Sequence, residues 1–173
     1  MRIGVLLFDD VEELEFIGPI EVFGTAARLG ASLSLTTISD HSPVLCRLGT
    51  RVEVQQKIHR AGPQDVLIVP GGPGAEAVKT NAAFLRYLRM PHGIIAPVCT
   101  GSVLLEAAGI SNQYARFIDD CSGSGAPSSA GIDVALALVE QICSAQIANA
   151  VASIVQRQRP QRRLACSAVR GLF

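Results

Sequence analysis

The sequence predicts an α/β protein with a mainly parallel, doubly wound sheet. Residues 2–8, 65–70 and 93–98 are continuous apolar runs of strand length, which suit strands buried on both faces. Segments with helical spacing follow each of them. Strand and helix therefore alternate, as crossover connections between parallel strands require.

Each element follows from its residues. Residues 2–8 (RIGVLLF) form the first strand. Asp9 and Asp10 then cap a helix in which Val11, Leu14, Ile17 or Gly18, Val22 and Ala26 recur at helical spacing, and Gly30 closes it. Pro19 lies inside that pattern. It predicts a break or two helical pieces, because proline lacks an N–H and crowds the preceding turn. Residues 31–38 (ASLSLTTI) alternate as a strand does, and 50–55 form a weaker, more exposed one. Residues 65–70 (DVLIVP) run into Gly71-Gly72-Pro73-Gly74, and 75–89 read as one amphipathic helix. The run 93–98 (GIIAPV) ends at Cys99. A short helix over 102–108 stops at Gly109, and 131–142 and 145–155 are two further helices.

Length and composition narrow the classes. At 173 residues the chain is about one domain on the usual ~100–200. With 49% hydrophobic and only 17% charged residues, the body is not disordered. The longest weakly polar stretch, 93–105, is interrupted by Pro97, Thr100 and Ser102, so it falls short of the ~18 apolar residues of a membrane span. No cationic segment or cleavage site follows Met1, which points to the cytoplasm. Residues 1–156 hold ten basic and fifteen acidic side chains, a net of −5. Residues 157–173 hold Arg157, Arg159, Arg162, Arg163 and Arg170 and no acid. The expected organisation is one domain over 1–156 and a basic, irregular, solvated tail over 157–173, with no nucleic-acid footprint on the body.

Cys46, Cys99, Cys121, Cys143 and Cys166 are odd in number and form no C-x-x-C pair, which predicts free thiols in a reducing compartment. His41, His59 and His92 are scattered without ligand spacing, so no metal is expected.

Ligands of open α/β sheets bind outside the carboxyl ends of the strands. Three loops qualify: Asp9 to Glu15, Gly71-Gly72, and Cys99-Thr100-Gly101-Ser102. Cys99 sits where a buried strand gives way to a helix, the setting of a nucleophile elbow. A helix N-terminus there would favour thiolate and lower the thiol pKa. A small buried hydrophobe is the competing reading for any free cysteine, and position alone leaves the two even at Cys99. The other four cysteines are read as buried hydrophobes, Cys143 on a helix beside Ile142.

Gly71-Gly72 lets backbone N–H groups approach developing negative charge, or simply turns the chain. It is no dinucleotide fingerprint, since the glycines run G-G-x-G with no ribose-binding acid downstream. The acids Asp9, Asp10, Glu12, Glu13, Glu15 and Glu21 read as a solvated, dipole-favoured helix start. Glu15 differs, because Leu14, Phe16 and Ile17 surround it and an apolar setting makes a carboxyl hold its proton. Beside a thiolate it could donate that proton.

These motifs together carry a resemblance. Leu14-Glu15-Phe16-Ile17-Gly18-Pro19, Val69-Pro70-Gly71-Gly72, Val98-Cys99-Thr100-Gly101-Ser102 and Ser129-Ala130-Gly131-Ile132-Asp133 resemble the DJ-one/PfpI superfamily. That superfamily belongs to the class I glutamine amidotransferase-like fold. The form C-T-G-S is similar to isonitrile hydratases and to the sensor domain of AraC-type regulators. The resemblance spans roughly residues 2–155. It implies a flavodoxin-like, three-layer α/β/α fold, a homodimer, and a small-molecule substrate or ligand with no cofactor.

The resemblance also implies roles at matched positions. Cys99 falls at the nucleophile. Glu15 falls at the carboxylate that contacts its sulfur, where hydratases usually place Asp. Thr100 follows the nucleophile, and its backbone N–H joins that of Gly72 in an oxyanion hole. Thr100 stands where the protease-like and glyoxalase-like branches carry histidine, so a Cys–His protease is disfavoured. Relatives place a strand, a helix and a further strand pair before the Ala-Gly-Ile-Asp motif, but only residues 110–129 fill that interval here. A strand–helix–strand unit takes ~30 residues. The sheet is therefore expected to lack a strand–helix unit after residue 109. The leading expectation is isonitrile hydration. Cys99 adds to the terminal carbon, a proton from Glu15 or water neutralises the nitrogen, and water releases an N-substituted formamide. The alternative is a non-catalytic ligand- or redox-sensing domain without the DNA-binding part, and a degraded paralogue is a third.

Overall fold

The structure, a computed structural model, describes residues 1–110 and 130–155. The expected shortfall after residue 109, Cys121, Cys166 and the basic tail lie outside the described residues. The elements are β1 (Arg2–Leu6), α1 (Glu13–Arg28), β2 (Ser34–Ser39), β3 (Val44–Leu45), β4 (Arg51–Val52), β5 (Gln56–Lys57) and β6 (Val66–Val69). There follow α2 (Gly74–Val78), α3 (Ala82–Leu88), β7 (Ile94–Pro97), a 3₁₀ turn (Cys99–Gly101), α4 (Ser102–Ala107), α5 (Ala130–Ile142) and α6 (Ala145–Ile154).

The main sheet has the order β5-β2-β1-β6-β7, and every pairing in it is parallel. The chain leaves β1 outward through β2 to β5, then returns to β6 on the other side of β1. That reversal puts a topological switch point between β1 and β6, where their carboxyl ends splay and leave a crevice. Val5 pairs with Ile68, and Val69 pairs with Pro97, so these strands end at similar height. Val66, Leu67, Ile68 and Val69 are all buried, as a central strand covered on both faces demands. Right-handed crossovers put α1 on one face and α2 and α3 on the other. Helices α5 and α6 pack with α1, while α4 packs with α2 and α3. The flavodoxin-like doubly wound class stands.

Several local expectations are corrected. Helix α1 runs unbroken through Pro19. Burial explains this: Pro19 is buried, and its ring and the Glu15 carbonyl both lie against Gly131 of α5, where an added Cβ would stand 3.1 Å from that oxygen. Packing thus holds the turn that proline deprives of one backbone bond. Helix α1 starts at Glu13, and its N-cap residue Glu12 makes no side-chain cap bond; Asp9 and Asp10 lie before it. Strand β2 starts at Ser34 because Ala31 N–H returns to Ala26 O (3.1 Å), which spends residues 31–33 on closing α1.

The strand expected over 50–55 divides between two sheets. Arg51–Val52 pairs antiparallel with Val44–Leu45, while Gln56–Lys57 pairs parallel with β2. Gln55 makes the transfer, exchanging side-chain bonds with Thr37 (Thr37 N–H to Gln55 Oε1 2.9 Å, Gln55 N–H to Thr37 Oγ1 3.0 Å). The single helix expected over 75–89 is two. Asn81 interrupts it, accepting from Ala83 N–H (2.9 Å) as the N-cap of α3 and donating to Asp40 Oδ2 (3.0 Å). Cys143 follows α5 rather than lying within it. No helix among the described residues is long and apolar enough to cross a membrane.

Candidate active site

The crevice brings together the three loops singled out in the sequence. Cys99 has φ +49°, the left-handed region that a side-chain-bearing residue enters at a cost of ~1–2 kcal/mol. The strand-to-helix turn imposes this conformation. The Val98 N–H is still bonded to Val69 O (2.9 Å) in strand register, and Gly101 N–H already bonds back to Val98 O (2.9 Å). Gly101 is required beneath the turn, because any Cβ there would be driven into the Val69 carbonyl oxygen. The result is an exposed Cys99 held above the strand ends.

Glu15 lies in the first turn of α1 and is 4% exposed. Its Oε2 accepts from the Gly71 N–H at 2.6 Å. Its carboxyl also shares a hydrogen bond with the Cys99 thiol. The Thr100 backbone N–H and hydroxyl both reach the Cys99 sulfur as well. Thr100 Oγ1 in turn accepts from the Gly72 N–H at 2.9 Å. Gly72 has φ +139°, and a Cβ on it would meet Asp10 O at 2.5 Å and Glu12 N at 2.6 Å. Only glycine can thread this gap. The hydrogen bonds run from Gly71 through Glu15, Cys99 and Thr100 back to Gly72.

Burial raises the Glu15 pKa above its ordinary value, against the pull of the Gly71 N–H and the Cys99 bond, and the neighbouring Glu12 charge adds to the rise. Burial also pushes the Cys99 thiol up, and the Glu15 carboxylate adds to this, while the two Thr100 donors pull the other way. The expectation of a lowered thiol pKa is therefore corrected. Helix α4 has only six residues, and its end cannot offset a desolvated sulfur touching a carboxylate. Both groups are raised and they share one hydrogen bond, so they titrate as a coupled pair.

Sequence reasoning placed Cys99, Glu15, Thr100 and Gly72 at one site, and the structure brings all four together. It assigned the Gly72 N–H to an open anion hole, whereas the Thr100 hydroxyl occupies that N–H. It missed Gly71 as the donor to Glu15, although the doubled glycine was a visible signal. It also read the acids at the start of α1 as solvated. Glu13 is 8% exposed; its Oε1 accepts from Leu48 N–H (2.9 Å), and its Oε2 has no partner among the described residues. Asp9 lies apart from the crevice pair, bonded to His41 Nε2 (3.0 Å) and to Leu45 N–H (2.8 Å). Cys46 is buried, with its thiol pushed up to about 11 by burial and the charges of Glu13 and Asp9. No group of side chains among the described residues is arranged to hold a metal ion.

Comparison with known proteins places this geometry. A family model described as the DJ-1/PfpI family matches residues 1–115. A Streptomyces lividans protein, described as an uncharacterized protein in the cpoL 5′ region, is 38% identical over 113 residues, 63% of this chain and 80% of that one. An isonitrile hydratase of Pseudomonas putida is 29% identical over 113 residues, 64% of this chain. The match spans 48% of the hydratase, about half its length. A glutathione-independent glyoxalase of Caenorhabditis elegans is 31% identical over 107 residues, 59% of this chain and 55% of that one. Among solved structures, a THiJ/PfpI family protein from Pseudomonas syringae matches with TM-score 0.76 at 20% identity, covering 96% of this chain and 78% of that one. An AraC family transcriptional regulator from Pseudomonas putida matches with TM-score 0.70 at 21% identity, covering 89% of this chain and 98% of that one. These structural likenesses show the fold.

Proposed function

The chain belongs to the DJ-1/PfpI family, and on that premise we propose that it is a cysteine-dependent enzyme acting on isonitriles. The observation that carries the reading is the contact of an exposed, left-handed Cys99 with a buried Glu15, with Thr100 bonded to the same sulfur. Glu15 takes the thiol proton as general base while sulfur adds to the terminal carbon of R–N≡C. Electron bookkeeping puts that proton on carbon rather than nitrogen, giving R–N=CH–S–Cys99. Water then adds to this carbon with Glu15 again moving the proton. The C–S bond breaks, the thiol regains its proton, and R–NH–CHO leaves. Thr100 and Gly72 serve as donors to the charge that develops at nitrogen, once the Thr100 hydroxyl turns from the Gly72 N–H to the substrate. The absence of histidine after Cys99 argues against a Cys–His relay, because Thr100 stands there.

Incubation of the purified chain with a panel of isonitriles, glyoxals and amides tests this. Formamide from an isonitrile, abolished in Cys99→Ser, is the expected result. Turnover of a glyoxal alone, or of nothing, overturns the reading.

The likeness to the AraC family regulator favours a second reading, a domain that binds a small ligand in the same crevice without turnover. A thiol pushed up in pKa is a slow target for oxidants, so ligand binding is preferred over redox sensing within it. Ligand affinity that survives Cys99→Ser, without product, would select this reading. A homodimer completes the proposal. Leu14, Ile17 and Leu48 are exposed and apolar on and beside α1, and a monomeric mass in multi-angle light scattering at micromolar concentration would remove that part.

A further inference from the structure

The loop between β3 and β4 is stitched onto the chain segment that leads into Glu15. Asp10 N–H bonds to Leu45 O (2.9 Å), Arg47 N–H to Val11 O (3.0 Å), and Leu48 N–H to Glu13 Oε1 (2.9 Å). The Arg47 guanidinium closes on Glu12 Oε2 at 2.7 Å. Glu12 is itself fixed to the site, since its N–H bonds to Gly71 O (3.0 Å) and its carbonyl accepts from Glu15 N–H (3.2 Å). An ion pair thus sits one helical turn from the Glu15 carboxyl.

We propose that Arg47 is a positioning residue that holds the Glu12 carboxylate at the rim and offsets part of its charge, and so governs when Glu15 gives up its proton. This rests on the reading of Glu15 and Cys99 as the reacting pair. The groups facing Glu15 are few. The 71–72 turn offers the Gly71 N–H, the elbow offers Cys99 and Thr100, and the segment before α1 offers Glu12. Helix α5 lays Gly131 against the Glu15 carbonyl and carries the buried Asp133 two residues on and Glu140 at its far end. Helix α6 has no ionisable side chain. Glu12 is the acid whose charge opposes ionisation of Glu15, and Arg47 is its cation. Glu12 already opposes ionisation of Glu15 with Arg47 in place; without the cation that opposition grows, and the proton stays to higher pH.

The test is an infrared titration of the full chain that follows the protonated-carboxyl band lost in Glu15→Gln. Arg47→Met should move the midpoint up by about 0.3 pH unit, the effect of losing one positive charge ~10 Å away in a wet rim. Arg47→Lys should restore it. The double variant Arg47→Met/Glu12→Gln should bring it back to or below wild type, and the shift should collapse in ~1 M salt. A purely structural role, in which the loop undocks, predicts that Glu12→Gln does not rescue and salt does not matter. An unmoved midpoint in Arg47→Met, or a shift that Glu12→Gln leaves in place, overturns the proposal. Failure of the underlying reading shows differently, as a Cys99 that no iodoacetamide labels in the folded wild type.

Discussion

Replacing Glu15 by glutamine separates the two jobs assigned to that side chain. The amide oxygen can keep the Gly71 N–H that Oε2 accepts at 2.6 Å, and the amide NH₂ then faces the Cys99 sulfur as a donor. What disappears is a negative charge in contact with the thiol. At ~4 Å that charge is worth ~1 kcal/mol in water and up to ~4 kcal/mol at the dielectric of a protein surface. Cys99 is exposed, so the lower end applies, and ~1.4 kcal/mol corresponds to about tenfold more thiolate near neutral pH. A more acidic thiol is a weaker nucleophile, with a Brønsted slope of ~0.5, which leaves a net gain of roughly threefold in alkylation rate. Turnover should fall by ~10²–10⁴-fold, because an amide cannot take the thiol proton and pass it on. The assay is mass-mapped iodoacetamide labelling against pH, run beside product formation. An unchanged or slower Cys99 alkylation in Glu15→Gln would refute the Glu15 charge as a cause of the raised thiol pKa. Wild-type turnover in that variant would refute the catalytic role.

Three further outcomes follow from the same geometry. Among the thiols, Cys99 should be alkylated first near neutral pH, since Cys46 is buried with its pKa pushed up to about 11; faster labelling of Cys46 or Cys166 would remove Cys99 as the nucleophile. Gly101→Ala should lower stability by ~2 kcal/mol or more, because the new methyl meets the Val69 carbonyl of a central strand that has no room to move; an unshifted denaturation midpoint would contradict the close packing of the elbow. For His41, burial lowers the pKa, but bonds to Asp9 (3.0 Å) and Asp40 (2.7 Å) more than offset it and leave it raised. A raised folded value means the bridge stabilises fully below the unfolded pKa of ~6.5 and fades as pH rises through the folded value. His41→Ala should therefore lower the melting temperature more at pH 5.5 than at pH 9, and an equal loss at both would show that His41 acts by packing alone.

The parallel sheet and the loops that carry the site were legible in the sequence because the determining signals are local. Val66 to Val69 are apolar at every position, which only a strand covered on both faces tolerates. Cys99-Thr100-Gly101 and Gly71-Gly72 mark tight turns by composition alone. The short edge elements were less legible. Residues 50–57 divide between two sheets, a choice set by where Gln55 meets Thr37 and not by propensity. Pro19 argued for a broken helix, and packing of its ring against Gly131 decided otherwise.

The sequence by itself determined the class, the strand ends at which the candidate site lies, and which residues, Cys99, Glu15, Thr100 and Gly72, meet there. The tertiary structure decided how they are connected: which glycine holds Glu15, that the Thr100 hydroxyl occupies the Gly72 N–H, and that burial raises both Glu15 and Cys99. It also decided that Glu12, Glu13 and Glu15, three acids within one turn, meet Arg47, a backbone N–H and a thiol respectively. The physical reason is that ionisation depends on burial and on charges a few ångströms away. Those neighbours come from loops 35 to 84 residues distant along the chain, and no local pattern records them.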